Sequence, residues 1–228
     1  GKHIGIVFQD ALRSLNPVLT VGEQLSESMI THMGLNKAQA RSRAIVLLEH
    51  VGISQPDKRY NSYPHQFSGG MRQRVMIAIA IACSPEILIA DEPTTALDVT
   101  IQTQIVELTK RLQREMGMTV IWITHDLGVV AGIADRVMVM YAGMPIEISP
   151  VDELYRKPQH PYTAGLLGAI PVIGETRSDR KLESIEGTPP DMFEPPAHCQ
   201  FAWRCPYVFD ECWKRVPELF EVGEEHRA

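Results

Sequence analysis

Long apolar runs are missing from this sequence of 228 residues. The longest unbroken one, VMIAIAIAC at residues 75–83, is too short to cross a bilayer as a helix. Long basic runs are missing as well, and the formal net charge is −6, so nucleic acid is not favoured as a partner. We expect no signal peptide, because the chain enters a strand-like segment, IGIVF (residues 4–8), almost at once. Nothing in the composition argues for secretion.

Cysteine is scarce, with four residues in the whole chain. Cys83 lies inside the apolar run, where a cysteine usually behaves as an inert core residue. The other three, Cys199, Cys205 and Cys212, fall close together near the C-terminus. Their grouping makes them candidate ligands or candidate disulfide partners.

Strand-like and helix-like patterns alternate through residues 86–141. Such alternation predicts an α/β fold whose largely parallel sheet is covered on both faces. Prolines, charges and aromatics dominate after about residue 174, so we predict one domain at 1–173 and a C-terminal extension at 174–228. Residues 9–22 and 55–66 are rich in turn formers and predict loops. The predicted strands are 4–8, 86–90 and 119–124, the helices 22–33, 37–51, 99–116 and 127–134, and the hairpin 136–149 around Ala142-Gly143.

Polar residues follow the three predicted strands of the parallel sheet. Gln9 follows the first strand, Asp91 and Glu92 the second, and His125 the third. Ligands of α/β sheets gather at the carboxyl ends of strands, and an apolar strand followed by Asp-Glu is a Walker B pattern. The aspartate can hold Mg²⁺, mostly through water, and the glutamate can act on an attacking water. Taken singly, however, an Asp-Glu pair is also typical of a turn or helix cap, and a lone histidine is more often structural.

The stretch FSGGMRQR (residues 67–74) places two glycines in front of an apolar helix. A glycine pair destabilises a helix interior but suits a loop whose backbone must come close to something. A helix N-terminus with free N–H groups and a serine hydroxyl is a site for an anion. Ser68, Gly69 and Gly70 therefore predict a phosphate-contacting loop.

These segments, in this order and at this spacing, resemble the ATP-binding cassette (ABC) family of transport ATPases over about residues 1–150. The resemblance implies an ABC-type nucleotide-binding domain, with a parallel sheet core and a helical subdomain at about residues 12–85 that docks a permease. FSGGM with Arg72-Gln73 resembles the signature motif. ILIADEPTTALD (87–98) resembles Walker B followed by the D-loop, whose aspartate is Asp98. Gln9 matches the Q-loop glutamine, and His125 matches the switch histidine.

The same resemblance implies ATP and Mg²⁺ as cofactors and a metal-assisted attack of water on the γ-phosphate. Asp91 would hold Mg²⁺, Glu92 would position or activate the water, and His125 would contact the γ-phosphate. Two such chains would pair head to tail, so that Ser68 and the glycines meet the γ-phosphate bound by the opposite subunit. The nucleotide-contacting residues implied in this way are Gln9, Ser68, Gly69, Gly70 and Asp98.

A P-loop, G-x-x-x-x-G-K-[ST], does not precede these motifs in the sequence. Gly1-Lys2 does not supply one, because His3 follows Lys2 and the next segment is a strand rather than a helix. We therefore expect this chain to be part of a longer protein, and we expect the 228 residues alone to bind ATP poorly and not to hydrolyse it. A non-catalytic interaction module is an alternative hypothesis.

Three further stretches are similar to the peptide and nickel importer ATPases within the ABC family. They are SLNPVLTVGEQ (14–24), DEPTTALDVTIQTQI (91–105) and HPYTAGLLGAIP (160–171), and residues 186–222 resemble the C-terminal region of the same subgroup. The resemblance implies an ATP-hydrolysing importer subunit for di- or oligopeptides, or for nickel, at the cytoplasmic face of the cell (inner) membrane. Its partners would be permease transmembrane subunits, a second ATPase subunit and, indirectly, a solute-binding protein.

A rival hypothesis from another class is a soluble ABC ATPase that acts on DNA or ribosomes. Proteins of that class generally carry coiled-coil insertions or a second cassette, and neither is visible in this sequence.

Three hypotheses compete for Cys199, Cys205 and Cys212. A disulfide is disfavoured in a chain expected to face the cytosol, and zinc usually requires closely spaced Cys-x2–4-Cys pairs. A [4Fe–4S] cluster requires four thiolates, often with a proline after one of them, as in Cys205-Pro206. The resemblance implies such a cluster in some members, with a fourth cysteine shortly after an H-R-x-x-like segment, and this sequence ends at His226-Arg227-Ala228. Three reduced thiols in a small packed lobe are the plain alternative.

Overall fold

The computed structural model describes residues 1–95, 97–170, 184–191 and 193–228. These residues form two compact units, Gly1–Val129 (unit 1) and Val130–Ala228 (unit 2). The domain boundary predicted at residue 174 lies outside the described residues, as does Ala96 of the predicted D-loop segment. Within the described ranges, no helix is both long enough and apolar enough to span a membrane.

The sheet of unit 1 has three parallel strands in the order β1-β2-β3. They are β1 (Ile4–Val7), β2 (Ile87–Asp91) and β3 (Thr119–Ile123), which confirms the predicted α/β class. One face is buried, since Val7 and Leu88 are each only 1% exposed.

The prediction that both faces are covered is wrong for the described residues. Isoleucines on the second face, at positions 4, 6, 121 and 123, are between 42% and 48% exposed. A continuously apolar strand has the same sequence pattern whether one or both of its faces are packed against helices. The pattern alone therefore could not predict that the second face is exposed.

Five helices lie between β1 and β2, in the region predicted as the helical subdomain. Capping boxes start two of them, Thr20 with Glu23 and Asn36 with Gln39, and thereby satisfy backbone N–H groups at the helix N-terminus. Two short helices occupy segments predicted as loops, because three- to five-residue helices leave no periodic apolar pattern. The five are α1 (Ala11–Ser14), α2 (Val21–Met33), α3 (Lys37–His50), α4 (Pro56–Tyr60) and α5 (Gly69–Ile81).

Helix α6 (Val99–Met116) returns the chain from the end of β2 to the start of β3, with the bounds predicted from the sequence. It ends at Gly117, whose φ of 65° is the left-handed conformation that favours glycine. Its buried Ile105, Leu108 and Leu112 join the core cluster that also holds the buried face of the sheet. Helix α7 (Leu127–Ile133) follows β3, as predicted.

Unit 2 contains an antiparallel sheet in the order β4-β5-β7-β6. The predicted hairpin is confirmed: Ala142 and Gly143 both have positive φ, as a two-residue hairpin turn requires. Tyr141, Tyr162 and Phe201 form an aromatic cluster with ring centroids 4.7–5.5 Å apart. The elements are β4 (Arg136–Tyr141), β5 (Met144–Pro150), α8 (Val151–Arg156), α9 (Pro161–Gly168), β6 (Glu221–Gly223) and β7 (His226–Arg227).

Candidate active site at the carboxyl edge of the parallel sheet

The carboxyl ends of β1, β2 and β3 bring Gln9, Glu92 and His125 into contact. The amide Nε2 of Gln9 donates to Glu92 Oε2 at 2.7 Å, and His125 Nδ1 lies 3.0 Å from Glu92 Oε1. Parallel strands end at the same edge of a sheet, so residues that are 83 and 33 positions apart in sequence meet there. Glu92 is therefore the residue that links all three strand ends.

The backbone and a neighbouring hydroxyl fix the position of Glu92. Its φ of 44° lies in the left-handed region, which is uncommon for a residue other than glycine and is often found at functional sites. Its N–H donates to Ile123 O at 2.9 Å, which ties the end of β2 to the end of β3. Thr95 Oγ1 donates to Glu92 Oε2 at 2.9 Å. Thr95 was not predicted as a site residue from the sequence.

The Glu92 carboxylate accepts three side-chain hydrogen bonds, and these set its protonation. The bond from His125, followed by the bond from Thr95, lowers the pKa of Glu92 below its ordinary value. The carboxyl group is therefore ionised at neutral pH, which is the form that can orient or deprotonate a water molecule. Its side chain remains 26% exposed and that of His125 is 75% exposed, so a ligand can reach both.

Asp91 is the last residue of β2 and is exposed next to Glu92. No group of three or more His, Cys, Asp or Glu side chains that could hold a metal ion occurs in the described part of the chain. A single carboxylate nevertheless fits Mg²⁺, which keeps several waters and takes one or two carboxylates together with substrate phosphates. Asp91 is accordingly the residue that could hold Mg²⁺ at this edge.

The predicted signature residues form a second group, at the N-termini of α5 and α6. Ser68 is the N-cap of α5, since its hydroxyl accepts from Met71 N–H at 3.3 Å, and Asp98 caps α6 by accepting from Ile101 N–H at 3.0 Å. The two helix starts are in contact, because a Cβ on Gly70 would lie 2.7 Å from Ile101 Cγ2.

The glycines of this second group are the first two residues of α5 rather than part of a loop, which corrects the prediction. Close packing between helices is enough to explain why Gly70 lacks a side chain. The neighbouring Arg72 is bonded locally, since its Nη1 donates to Phe67 O at 2.8 Å.

The three C-terminal cysteines are neighbours in unit 2, and within the described ranges they do not make up a ready metal-binding group. All three are free thiols, and Cys199 N–H donates to Cys212 O at 3.0 Å. Burial raises the pKa of the Cys205 thiol. The described residues therefore do not provide the four-thiolate set of a [4Fe–4S] cluster.

A buried carboxylate in unit 2 was not predicted. Glu147 in β5 has no exposed surface. Its Oε1 accepts from His226 Nε2 and from Gln159 N–H, both at 2.7 Å, and its Oε2 accepts from His160 N–H at 3.0 Å. This network attaches β7 and the segment before α9 to β5. It is a structural group, since a fully paired buried carboxylate is closed to ligands.

Comparisons with known proteins agree with this geometry. The family model described as "ABC transporter" matches residues 1–95, and the one described as "Oligopeptide/dipeptide transporter, C-terminal region" matches residues 146–212. The chain is similar to the dimeric structure of the ATP-binding cassette MJ0796, solved in a post-hydrolysis state with ADP and Pi. The TM-score is 0.58 and the identity 34%, covering 66% of this chain and 63% of that one. The fold is therefore that of an ABC nucleotide-binding domain.

Curated relatives narrow the class further. The oligopeptide transport ATP-binding protein OppD of Bacillus subtilis (strain 168) is 52% identical over 99% of this chain and 63% of its own length. The dipeptide transport ATP-binding protein DppD of the same organism is 55% identical over 99% of this chain and 67% of its own length. The chain thus spans about two thirds of the length of these relatives. It belongs to the ABC transporter ATP-binding proteins of the oligopeptide and dipeptide transport family.

Proposed function

We propose that this chain carries the water-activating part of an ATPase subunit that drives uptake of di- and oligopeptides. The observation that carries the proposal is Glu92, an accessible ionised carboxylate held at the carboxyl edge of the sheet by Gln9, Thr95 and His125. The relatives' names favour peptides over nickel as the transported solute.

In the proposed reaction, Glu92 orients or deprotonates the water that attacks the γ-phosphate of ATP. His125 contacts the γ-phosphate and, through its hydrogen bond, keeps the Glu92 side chain in place. Gln9 senses the bound nucleotide, because its amide links the end of β1 to Glu92, which acts at the γ-phosphate. Asp91 would hold Mg²⁺, which neutralises developing phosphate charge when bound.

We further propose that two such subunits pair head to tail around ATP. Ser68, Gly69 and Gly70 of one subunit would then contact the γ-phosphate bound by the other, with Asp98 beside them. Placement of Ser68 at a helix N-terminus supports this role, since the N-terminus favours an anion. The similar cassette MJ0796 was solved as a dimer. The helices between β1 and β2 would dock permease subunits on the cytoplasmic face of the membrane.

Substitution of Glu92 by glutamine in the full-length protein tests the catalytic role. Glu92→Gln keeps the shape of the side chain but removes its charge. ATP binding should persist, hydrolysis should fall by roughly two orders of magnitude, and the closed dimer should accumulate on size-exclusion chromatography with ATP. Hydrolysis at a near wild-type rate would show that the assigned role is wrong.

Affinity purification of the full-length protein from membranes tests the transport role separately. Co-purification of transmembrane permeases is expected. Recovery of ribosomes or DNA in their place would favour the soluble ABC ATPase and would contradict the importer proposal while leaving the catalytic assignment intact.

For the cysteines, we propose that a [4Fe–4S] cluster forms only where a fourth thiolate joins Cys199, Cys205 and Cys212. Anaerobically purified 228-residue chain should then contain no iron. The full-length protein, if it carries the fourth cysteine that the resemblance implies, should be brown, with about 4 iron and about 4 acid-labile sulfide per chain. Cys205→Ser should bleach the full-length protein without affecting hydrolysis. A colourless full-length protein with freely titrating thiols would leave the reduced-thiol hypothesis standing.

A further inference from the structure

A cavity of about 510 Å³ on unit 1 is lined mainly by basic residues. The cavity lies along α6 from Gln104 to Arg114, on the helix that leads from the end of β2 to the start of β3. Its polar lining residues are Arg74 of α5 and Gln104, Glu107, Lys110, Arg111 and Arg114 of α6. Gln104, Glu107, Arg111 and Arg114 recur every three or four positions and so share one face of the helix, with Lys110 beside them.

Two of the guanidinium groups are held close together at the end of α3. Arg111 Nη2 donates to His50 O at 2.6 Å, and Arg74 Nη1 donates to Val51 O at 2.7 Å. These carbonyls belong to consecutive residues and have no partner within the helix. Capping of α3 therefore explains how both side chains are positioned, but it uses only part of their hydrogen-bonding capacity, because each guanidinium carries five N–H donors.

Basic residues outnumber acidic ones in the lining of the cavity. Arg74 donates to two uncharged acceptors, Val51 O and Gln104 Oε1, and burial together with the charge of Arg111 lowers its pKa. Glu115 lies beside Arg111 but is shared with His50, whose Nε2 is 2.7 Å away. Four basic residues and one acidic residue line the cavity, in a chain whose net charge is −6. Such a local excess of positive charge would be relieved by a bound anion.

We propose that this cavity is a binding site for a small phosphate-bearing anion, held by Arg74, Arg111 and Arg114. The planar guanidinium fork matches the geometry of phosphate oxygens, and the cavity volume falls within the range of small-molecule sites, about 300–1,000 Å³. The ligand would offset the repulsion between Arg74 and Arg111 where α3, α5 and α6 meet. The site is separate from the proposed catalytic edge, and its existence does not depend on ATP hydrolysis.

Calorimetric titration of the 228-residue chain with pyrophosphate, without Mg²⁺ and at low salt, tests the proposal. Saturable binding with a Kd below ~1 mM is expected. Arg114→Gln should weaken it by about tenfold, since a charge-assisted hydrogen bond is lost. Arg114 is exposed and donates to neither α3 carbonyl, so this variant should keep its fold. Arg41→Gln is the matched control, because it makes the same change at an exposed residue of α3 that does not line the cavity. This variant should bind pyrophosphate like wild type.

Titrations with AMP and with hexaglutamate distinguish the sources of the anion. Tighter binding of AMP than of pyrophosphate would assign the site to phosphate esters, and the reverse order would assign it to free phosphates; both results support the proposal. It would be overturned by the absence of saturable binding, by equal weakening in Arg114→Gln and Arg41→Gln, or by binding of hexaglutamate alone, which would indicate an acidic protein segment.

Discussion

Two glutamates, one in each unit, accept three hydrogen bonds apiece, and each is bonded to a histidine. Glu92 is bonded by three side chains, and its own side chain is 26% exposed. Glu147 is bonded by His226 and two backbone N–H groups and has no exposed surface. The two carboxylates therefore accept the same number of hydrogen bonds, but Glu92 is accessible to solvent and Glu147 is not.

The difference separates a carboxylate available for chemistry from one used for folding. A buried charge is costly unless every lone pair is satisfied, so the Glu147 network must remain closed. The donors to Glu92 are side chains on an open edge, and they can be exchanged for a ligand or water at small cost. Hydrogen bonding alone therefore does not identify a catalytic group; exposure and position at the sheet edge do.

The largest expected effect on stability comes from Glu147→Gln. The amide has one acceptor oxygen, so its NH₂ group would face a buried N–H donor and leave it unpaired. The free energy of unfolding should fall by about 3 kcal/mol, the order expected when a buried charged partner is removed. Denaturant unfolding of the 228-residue chain, followed by tryptophan fluorescence, measures this. Glu92→Gln is the matched control and should change the unfolding free energy by less than about 1 kcal/mol. Equal losses of unfolding free energy in both variants would contradict the distinction between a structural Glu147 and a functional Glu92.

A smaller effect is expected when the histidines are removed. His226→Ala deletes one hydrogen bond to a buried carboxylate and should cost about 2 kcal/mol of unfolding free energy. His125→Ala deletes the corresponding bond on the open edge. It should leave stability nearly unchanged while lowering ATP hydrolysis by the full-length protein about 100-fold. A His125→Ala variant that loses stability but keeps its rate of ATP hydrolysis would show that His125 is a structural residue and not part of the catalytic site.

The smallest effect concerns protonation of Glu92. Its pKa in the folded chain is lowered, chiefly by the hydrogen bond from His125. The stabilisation linked to this group is therefore present above the ordinary glutamate pKa of the unfolded chain and is lost as the pH falls through the lower folded-state pKa. Titration followed by the side-chain carboxyl ¹³C signal should place Glu92 below ordinary glutamates, and His125→Ala should raise its pKa toward them. An unchanged pKa in His125→Ala would contradict the proposed cause.

The two glutamates also show how far the sequence could lead. Strand ends are marked by a change from apolar to polar residues, so the sequence alone was enough to place Gln9, Glu92 and His125 at one edge of the sheet. Glu147 lies in a hairpin segment, MPIEIS, where a charged residue normally faces solvent. Its partners are two backbone N–H groups and a histidine 79 positions away, and neither leaves a local pattern in the sequence. Thr95 was missed because a threonine in a turn has many ordinary uses.

The most direct test of the account is the rate of ATP hydrolysis by the full-length protein carrying Glu92→Gln or Glu147→Gln. Both variants should be assayed below the melting temperature of the less stable one. We predict a fall of roughly two orders of magnitude for Glu92→Gln and a rate within about threefold of wild type for Glu147→Gln, since only the first carboxylate acts on water. A near wild-type rate in Glu92→Gln, or an equal loss in a folded Glu147→Gln, would contradict the account.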